Sequence, residues 1–263
     1  MADFVLARKS RNIASTAVHF FLNILLGFAA VLITVFTGSP LFGLLLVTVS
    51  KWRVFAVRRR YLWINIKSNL VDFIVGVSIV LLSYYSGTTL MPVHFILIIF
   101  YVLWLLFLKP LSSEEANLAQ SLVAVFLGIS ASSIMTASMD ALPAVLIAFL
   151  VGYAASRHVL VQTSEDDFTL ATLVAGLIFA ELAWLCHSWA IIYNIDFPFE
   201  TGIRIPQAAI IMTIFAFVYN YARQAMVRFQ DDFRFRDIII PVSFAIVLIG
   251  IIVIWFSNPI FNV

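Results

Sequence analysis

The chain has 263 residues, of which 63% are hydrophobic and only 11% are charged, and its formal net charge is +2. Soluble domains carry roughly 25% charged residues, so this composition excludes an ordinary water-soluble domain and indicates a protein that lies mostly in lipid. Apolar runs long enough to cross the hydrocarbon layer, which takes about 20 residues each, recur from residue 13 to residue 256.

Nine such runs, separated by turn or polar residues, predict an all-α, polytopic membrane helix bundle with nine transmembrane helices. The predicted spans are 13–36, 40–57, 62–85, 90–108, 116–137, 141–157, 168–193, 205–225 and 237–256. The second span is the weakest, because its wholly apolar part is only LFGLLLVTV. A re-entrant second helix, which would leave eight spans, therefore stays open.

The distribution of Lys and Arg predicts the orientation of these helices, because short cytoplasmic loops are enriched in both residues. With nine spans and a cytoplasmic N-terminus, fifteen of the sixteen basic residues face the cytoplasm and only Arg204 does not. Omitting the second span reduces the split to twelve against four. We therefore expect one transmembrane domain over 1–263, with a short cytoplasmic segment at 1–12, an external C-terminus and no soluble domain, as in a bacterial cytoplasmic membrane protein.

The strongest charge signal lies between the second and third spans, where residues 51–67 contain six basic and four aromatic side chains. Aromatic residues at headgroup depth beside basic residues predict contact with anionic lipid headgroups on the cytoplasmic face. The basic residues assigned to this contact are Lys51, Arg53, Arg58, Arg59 and Arg60. Because two spans flank the cluster, no nucleic-acid partner is predicted, whereas docking of a protein partner stays open.

Two acidic side chains fall near the middle of predicted spans, Asp72 in the third and Glu181 in the seventh. A charged side chain at the bilayer centre costs about 2.5–3.5 kcal/mol on insertion scales, so such acids are candidates for function. No Lys or Arg is predicted deep enough to neutralise both. The acids are then protonated, hold a cation or pair with a histidine; a neutral, hydrogen-bonded contact between helices is the structural alternative.

Polar residues share a helix face with Asp72 in the predicted third span. Asn65, Asn69 and Asp72 stand at i, i+4 and i+7, so they are expected to point together into the bundle, where lipid cannot reach them. The first span carries a lesser polar stripe that includes His19 and Asn23. Together with the two acids, these residues form the predicted proton or cation site.

Motifs for catalysis or cofactor binding are missing from the sequence, which has no H-E-x-x-H, no C-x-x-C and no glycine-rich phosphate loop. An enzyme is therefore the less favoured class, and no metal or cofactor is predicted. The favoured hypothesis is a small-molecule or ion transporter that uses intramembrane carboxylates as proton or cation sites. The alternative is a non-catalytic membrane subunit or scaffold that docks a protein partner, or a second copy of itself, through its basic cytoplasmic loops.

Overall fold

The computed structural model describes residues 2–161, 168–188, 190–195, 201–229 and 235–255, and in them the predicted all-α class is confirmed. The helices are α1 (Ala2–Thr37), α2 (Pro40–Ser50), α3 (Trp52–Phe55), α4 (Arg59–Ser68), α5 (Leu70–Tyr85), α6 (Pro92–Leu103), α7 (Glu114–Thr136), α8 (Ala141–Leu160), α9 (Phe168–His187), α10 (Gln207–Phe229) and α11 (Phe235–Trp255). A π-helical turn, Trp104–Leu108, continues α6. Two short strands, β1 (Ile192–Ile195) and β2 (Ile203–Pro206), lie between α9 and α10.

Two apolar clusters hold the bundle together, and α7 belongs to both. The first joins α7 to α1, α2, α5 and α6, with Val31, Val75 and Ile79 fully buried in it. The second joins α7 to α8, α9 and α10 around Phe179 and Met212. Small residues let these helices approach closely, which is the usual way that helices pack in lipid. The fold therefore has α7 at its centre, with one group of helices on each side.

Four helices in the described residues are long and apolar enough to cross a bilayer: Ala17–Thr37 within α1, and the whole of α7, α8 and α9. A fifth is reached if α4 and α5 are counted as one broken span. The coarser prediction of an integral membrane helix protein is thus supported, whereas the count of nine spans is not.

The difference has a physical origin in the second and third predicted spans. α2 has 11 residues, so it is about 16 Å long and covers roughly half of the ~30 Å hydrocarbon layer. The third span is not one helix, because α4 and α5 meet at a bend of 60° at Asn69. Nothing in the apolar composition of these runs marks either break.

A β-hairpin closes the end of the bundle at which α5 stops and α6 starts. β1 and β2 pair antiparallel from Ile192 opposite Pro206 to Ile195 opposite Ile203. The backbone N–H of Val93, at the start of α6, donates to the carbonyl of Thr201 at 3.0 Å. The hairpin also ends the seventh predicted span early, since α9 stops at His187 and not at residue 193.

Candidate functional site

A buried charge cluster forms around Asp72, in the first turn of α5. Its Oδ2 accepts hydrogen bonds from the ammonium groups of Lys51 and of Lys109, the latter at 2.8 Å. Its Oδ1 accepts a hydrogen bond from the Trp104 indole N–H at 3.1 Å. Asp72 is only 8% exposed and Lys51 only 7%. A carboxylate with two cations and an indole donor around it is held as an anion, and the group as a whole carries one net positive charge.

The π-helical turn explains how α6 supplies two of these partners. The N–H of Lys109 donates to the carbonyl of Trp104, five residues earlier, at 2.8 Å. In an α-helix two residues five apart point about 140° away from each other. The wider π turn rotates Lys109 back toward the face that carries Trp104, so both side chains reach Asp72.

The two lysines correct, for Asp72, the prediction that no Lys or Arg lies deep enough to neutralise both acids. That prediction placed Asp72 in the middle of one continuous helix, 62–85, with no basic residue at its depth. Because the helix breaks at Asn69, Asp72 stands in a first turn, and because α2 ends at Ser50, Lys51 is brought against it. The backbone breaks therefore create the ion pairs.

A cavity of about 580 Å³ opens beside the cluster, between α1, α2, α3 and α5. Four of the six residues of the predicted site line it, together with two of the predicted headgroup contacts. These are His19, Asn23, Asn69 and Asp72, with Lys51 and Arg53. Lys109 lines the cavity as well. The sequence therefore predicts six of the lining residues. It gives no signal for Lys109, or for Trp104, which donates to Asp72 without lining the cavity, because both stand near the end of a predicted span with no polar pattern around them.

Glu181 and Asn65, the other two predicted site residues, lie elsewhere. Glu181 is exposed on α9, which packs mainly against α8, and it does not line the cavity. The structure therefore does not bring the two acids together. The Asn65 side chain donates to the carbonyl of Val54 at 3.0 Å and so ties α4 to α3.

The polar face predicted for Asn65, Asn69 and Asp72 is wrong as a continuous helix stripe. Asn69 sits at the junction of α4 and α5, and its side-chain amide donates to the carbonyl of Asn65 at 2.9 Å. The 60° bend at this junction separates the two helices. Asn69 therefore stabilises the break that places Asp72, in addition to lining the cavity.

A second polar contact anchors the chain that carries Lys109. The side-chain amide of Gln120, on α7, donates to the carbonyls of Leu108 and Leu111 at 2.7 and 3.0 Å. Its Oε1 accepts from the His158 Nε2, on α8, at 2.7 Å. Gln120 on α7, itself held by His158 on α8, therefore fixes the chain on both sides of Lys109. The sequence gives no signal for this arrangement.

Three arginines at the start of α4, namely Arg58, Arg59 and Arg60, are exposed, and the Arg60 guanidinium lies 4.6 Å from the centre of the Tyr61 ring. None of the three forms an ion pair with another described residue. This arrangement is compatible with the predicted contact with headgroups or a partner. The three arginines do not line the cavity, whose nearest lining residue along the chain is Val54, so they are a separate feature.

Comparison of the chain with protein-family models, curated proteins and solved structures finds no match. In the ranges that the structure describes, no group of three or more His, Cys, Asp or Glu side chains could hold a metal ion. The cavity wall has three cationic side chains, Lys51, Arg53 and Lys109, against one carboxylate. Its electrostatics favour an anion.

Proposed function

We propose that this protein is a multi-pass membrane transporter for a small charged molecule and that the cavity beside Asp72 is its binding site. The observation that carries the proposal is the cluster of the buried Asp72 and Lys51 with the exposed Lys109 on the wall of a cavity of about 580 Å³. Ligand pockets commonly have volumes of about 300–1,000 Å³ and a few convergent polar groups. Ionisable groups inside membrane segments are rare unless function requires them.

The ligand that fits this cavity best is an anion, not the cation expected from isolated carboxylates. A cation at Asp72 would compete with Lys51 and Lys109 for Oδ2 and with Trp104 for Oδ1. Asp72 acts instead as a fixed counter-charge that holds the two ammonium groups at the cavity wall. This role retains Asp72 as the central residue and replaces only the sign of the charge that the site binds.

The cytoplasm is the proposed location of the cavity's basic end, in a bacterial cytoplasmic membrane. Asp72, Lys51 and Lys109 meet at the start of α5, whereas Arg204 lies in β2, beside Tyr85 and Ser86 at the other end of that helix. α5 has 16 residues, so these ends are about 24 Å apart. This separation supports the orientation in which Arg204 alone is external.

Anion flux through the purified protein tests this proposal. We expect proteoliposomes to take up radiolabelled chloride or phosphate faster than protein-free liposomes. The Lys109 side chain is 42% exposed. Lys109→Met should slow uptake by about tenfold or more, since a charge-assisted contact contributes about 1.5–3 kcal/mol. Glu181→Gln, a change of an acid outside the cavity, should leave uptake unchanged.

Two results would contradict the transporter. Uptake by the wild type that does not exceed uptake by protein-free liposomes would reject transport of these anions. Equal uptake by wild type and Lys109→Met would show that the cavity is not on the path. Circular dichroism of each variant in detergent confirms that the helices are retained before flux is compared.

The exposed arginines of α4 favour a second candidate, a membrane subunit that docks an acidic protein partner. The prediction is that a partner copurifies stoichiometrically in mild detergent and is lost from the variant in which Arg58, Arg59 and Arg60 are all changed to Gln. Arg204→Gln, at the opposite end of the bundle, should retain it. A monodisperse wild-type protein with no copurifying chain would reject this role.

A further inference from the structure

The lining of the cavity beside Asp72 changes from polar to apolar along one direction. On α1 both polar lining residues, His19 and Asn23, come before Leu25, Leu26 and Ala29, and Leu22 lies between the two polar ones. His19 and Ala29 are ten positions apart, so this wall is about 15 Å long. One end of the cavity therefore resembles a headgroup environment and the other a hydrocarbon environment.

The opposite wall, from α2, has the same gradient in the same direction. α2 runs antiparallel to α1, since the two helices are joined by a short turn at Gly38 and pack along their lengths. Its apolar lining residue is Leu46, and its polar ones, Ser50 and then Lys51, follow toward the end that meets Asp72. Two neighbouring helices thus place their polar lining at the same level.

The apolar part of the cavity opens sideways, through the surface of α1. Leu22 and Leu25 line the cavity and are each 51% exposed. Phe21 and Phe28, on the same helix, are also exposed. In a bilayer such apolar surface faces the acyl chains, because water contact would be unfavourable. A lipid-soluble molecule can therefore enter from the membrane.

The polar end has free hydrogen-bond donors for an anion. An ammonium group has three N–H bonds. Lys51 uses two of them, on Asp72 Oδ2 and on the Asp72 carbonyl, and Lys109 uses one. Arg53 is exposed, and it lines the cavity without contacting Asp72. Three cations with unused donors around one carboxylate are suited to a phosphate group.

We propose that this cavity binds an anionic amphiphile that bears a phosphate, with the phosphate between Lys51, Lys109 and Arg53 and its acyl chain against the leucines of α1 and α2. The proposal rests on the assignment of the cavity as the binding site and names the class of its ligand. Free phosphate would satisfy the same cations, but it would leave the apolar wall and its lateral opening without a role. The gradient therefore favours a lipid over a dissolved anion.

Equilibrium binding in nonionic detergent tests this class. The full-length protein is titrated with short-chain phosphatidylglycerol, with phosphatidylcholine of the same chain length and with inorganic phosphate, and binding is followed by tryptophan fluorescence, since Trp52 lines the cavity. We expect saturable binding of phosphatidylglycerol, weaker binding of phosphatidylcholine, and no displacement by equimolar inorganic phosphate.

Arg53→Gln and Arg204→Gln form a matched pair, because both arginines are exposed but only Arg53 lines the cavity. Neither contacts Asp72, so the buried cluster stays intact in both variants. Arg53→Gln should weaken phosphatidylglycerol binding by about fivefold, the effect of one basic charge near an anionic lipid. Arg204→Gln should change it by less than about twofold, because Arg204 lies at the other end of α5, beyond the Debye length of about 8 Å, where its charge is screened.

Three results would overturn the proposal. Equal losses of phosphatidylglycerol binding in the two variants would indicate diffuse attraction to the positive charge of the whole protein. Equal binding of phosphatidylcholine and phosphatidylglycerol would show that the net charge of the ligand is not recognised. Displacement of the lipid by equimolar inorganic phosphate would assign the cavity to a dissolved anion.

Binding and flux separate this inference from the proposed transport. Lipid binding without anion flux would reject transport of these anions and leave the ligand class standing. Anion flux that depends on Lys109, without lipid binding, would support transport of these anions and reject the ligand class.

Discussion

Asp72→Asn is expected to lower the free energy of unfolding by about 3–5 kcal/mol, as when one partner of a buried ion pair is removed. The change leaves Lys51, which is 7% exposed, beside the ammonium of Lys109 without their shared counter-charge. The amide of Asn accepts one hydrogen bond well but cannot neutralise two cations. Denaturation in mixed SDS micelles, followed by tryptophan fluorescence, measures the loss.

A double-mutant cycle separates the ion pair from general damage. Lys51→Met together with Asp72→Asn should lose less free energy than the sum of the two single changes, because the double variant has no unpaired buried charge at position 51 or 72. Glu181→Gln, at an exposed acid, should change the free energy of unfolding by no more than about 0.5 kcal/mol. A loss below about 1 kcal/mol for Asp72→Asn would instead support the neutral, hydrogen-bonded carboxyl group.

Gly152→Ala should destabilise the contact between α8 and α9, at a cost of about 1–3 kcal/mol from overpacking. A Cβ at Gly152, on α8, would lie 2.4 Å from Cγ and 2.6 Å from Cβ of Phe179, on α9. Phe179 is only 1% exposed, so its ring has no free space into which it can turn. The same micelle denaturation measures the change.

Gly250→Ala provides the control for that substitution, because a Cβ at Gly250, in α11, meets no atom within 4 Å. Alanine is favoured over glycine in a helix by about 1 kcal/mol, so this variant should be as stable as the wild type or slightly more stable. Equal destabilisation by both substitutions would show that the loss in Gly152→Ala does not come from contact with Phe179. It would then contradict the close contact of α8 with α9.

The sequence predicts the class of the fold and much of the cavity wall, for reasons that are physical. Lipid offers no hydrogen bonds, so His19, Asn23 and Asp72, polar residues in apolar runs, are expected to turn toward other helices. The structure places these three on one cavity. The helix start at Pro40 also follows from local chemistry, with Ser39 as the N-cap.

The interruptions of the helices could not be predicted in the same way. Asn69 stands in a run that is apolar on its C-terminal side and has no Pro or Gly near the bend, so continuity is decided by packing against other helices and not by propensity. The same limit applies to Glu181. Its position in an apolar run predicts a side chain that points into the bundle. α9 packs mainly against α8, however, and Glu181 is exposed on the face of α9 that is not packed.

The charge of the cavity depends on the backbone geometry of the π turn at Trp104–Leu108. Such a turn is what one extra residue produces when it is inserted into an α-helix. If one residue of this turn were deleted, Lys109 would follow Trp104 by four positions in a regular α-helix, and the two would still lie about 40° apart on one face. If all the residues were kept but the turn became α-helical, Lys109 would point about 140° away from Trp104. The balance of charge around Asp72 therefore depends on the backbone hydrogen bond from Lys109 to Trp104 as well as on which charged residues are present.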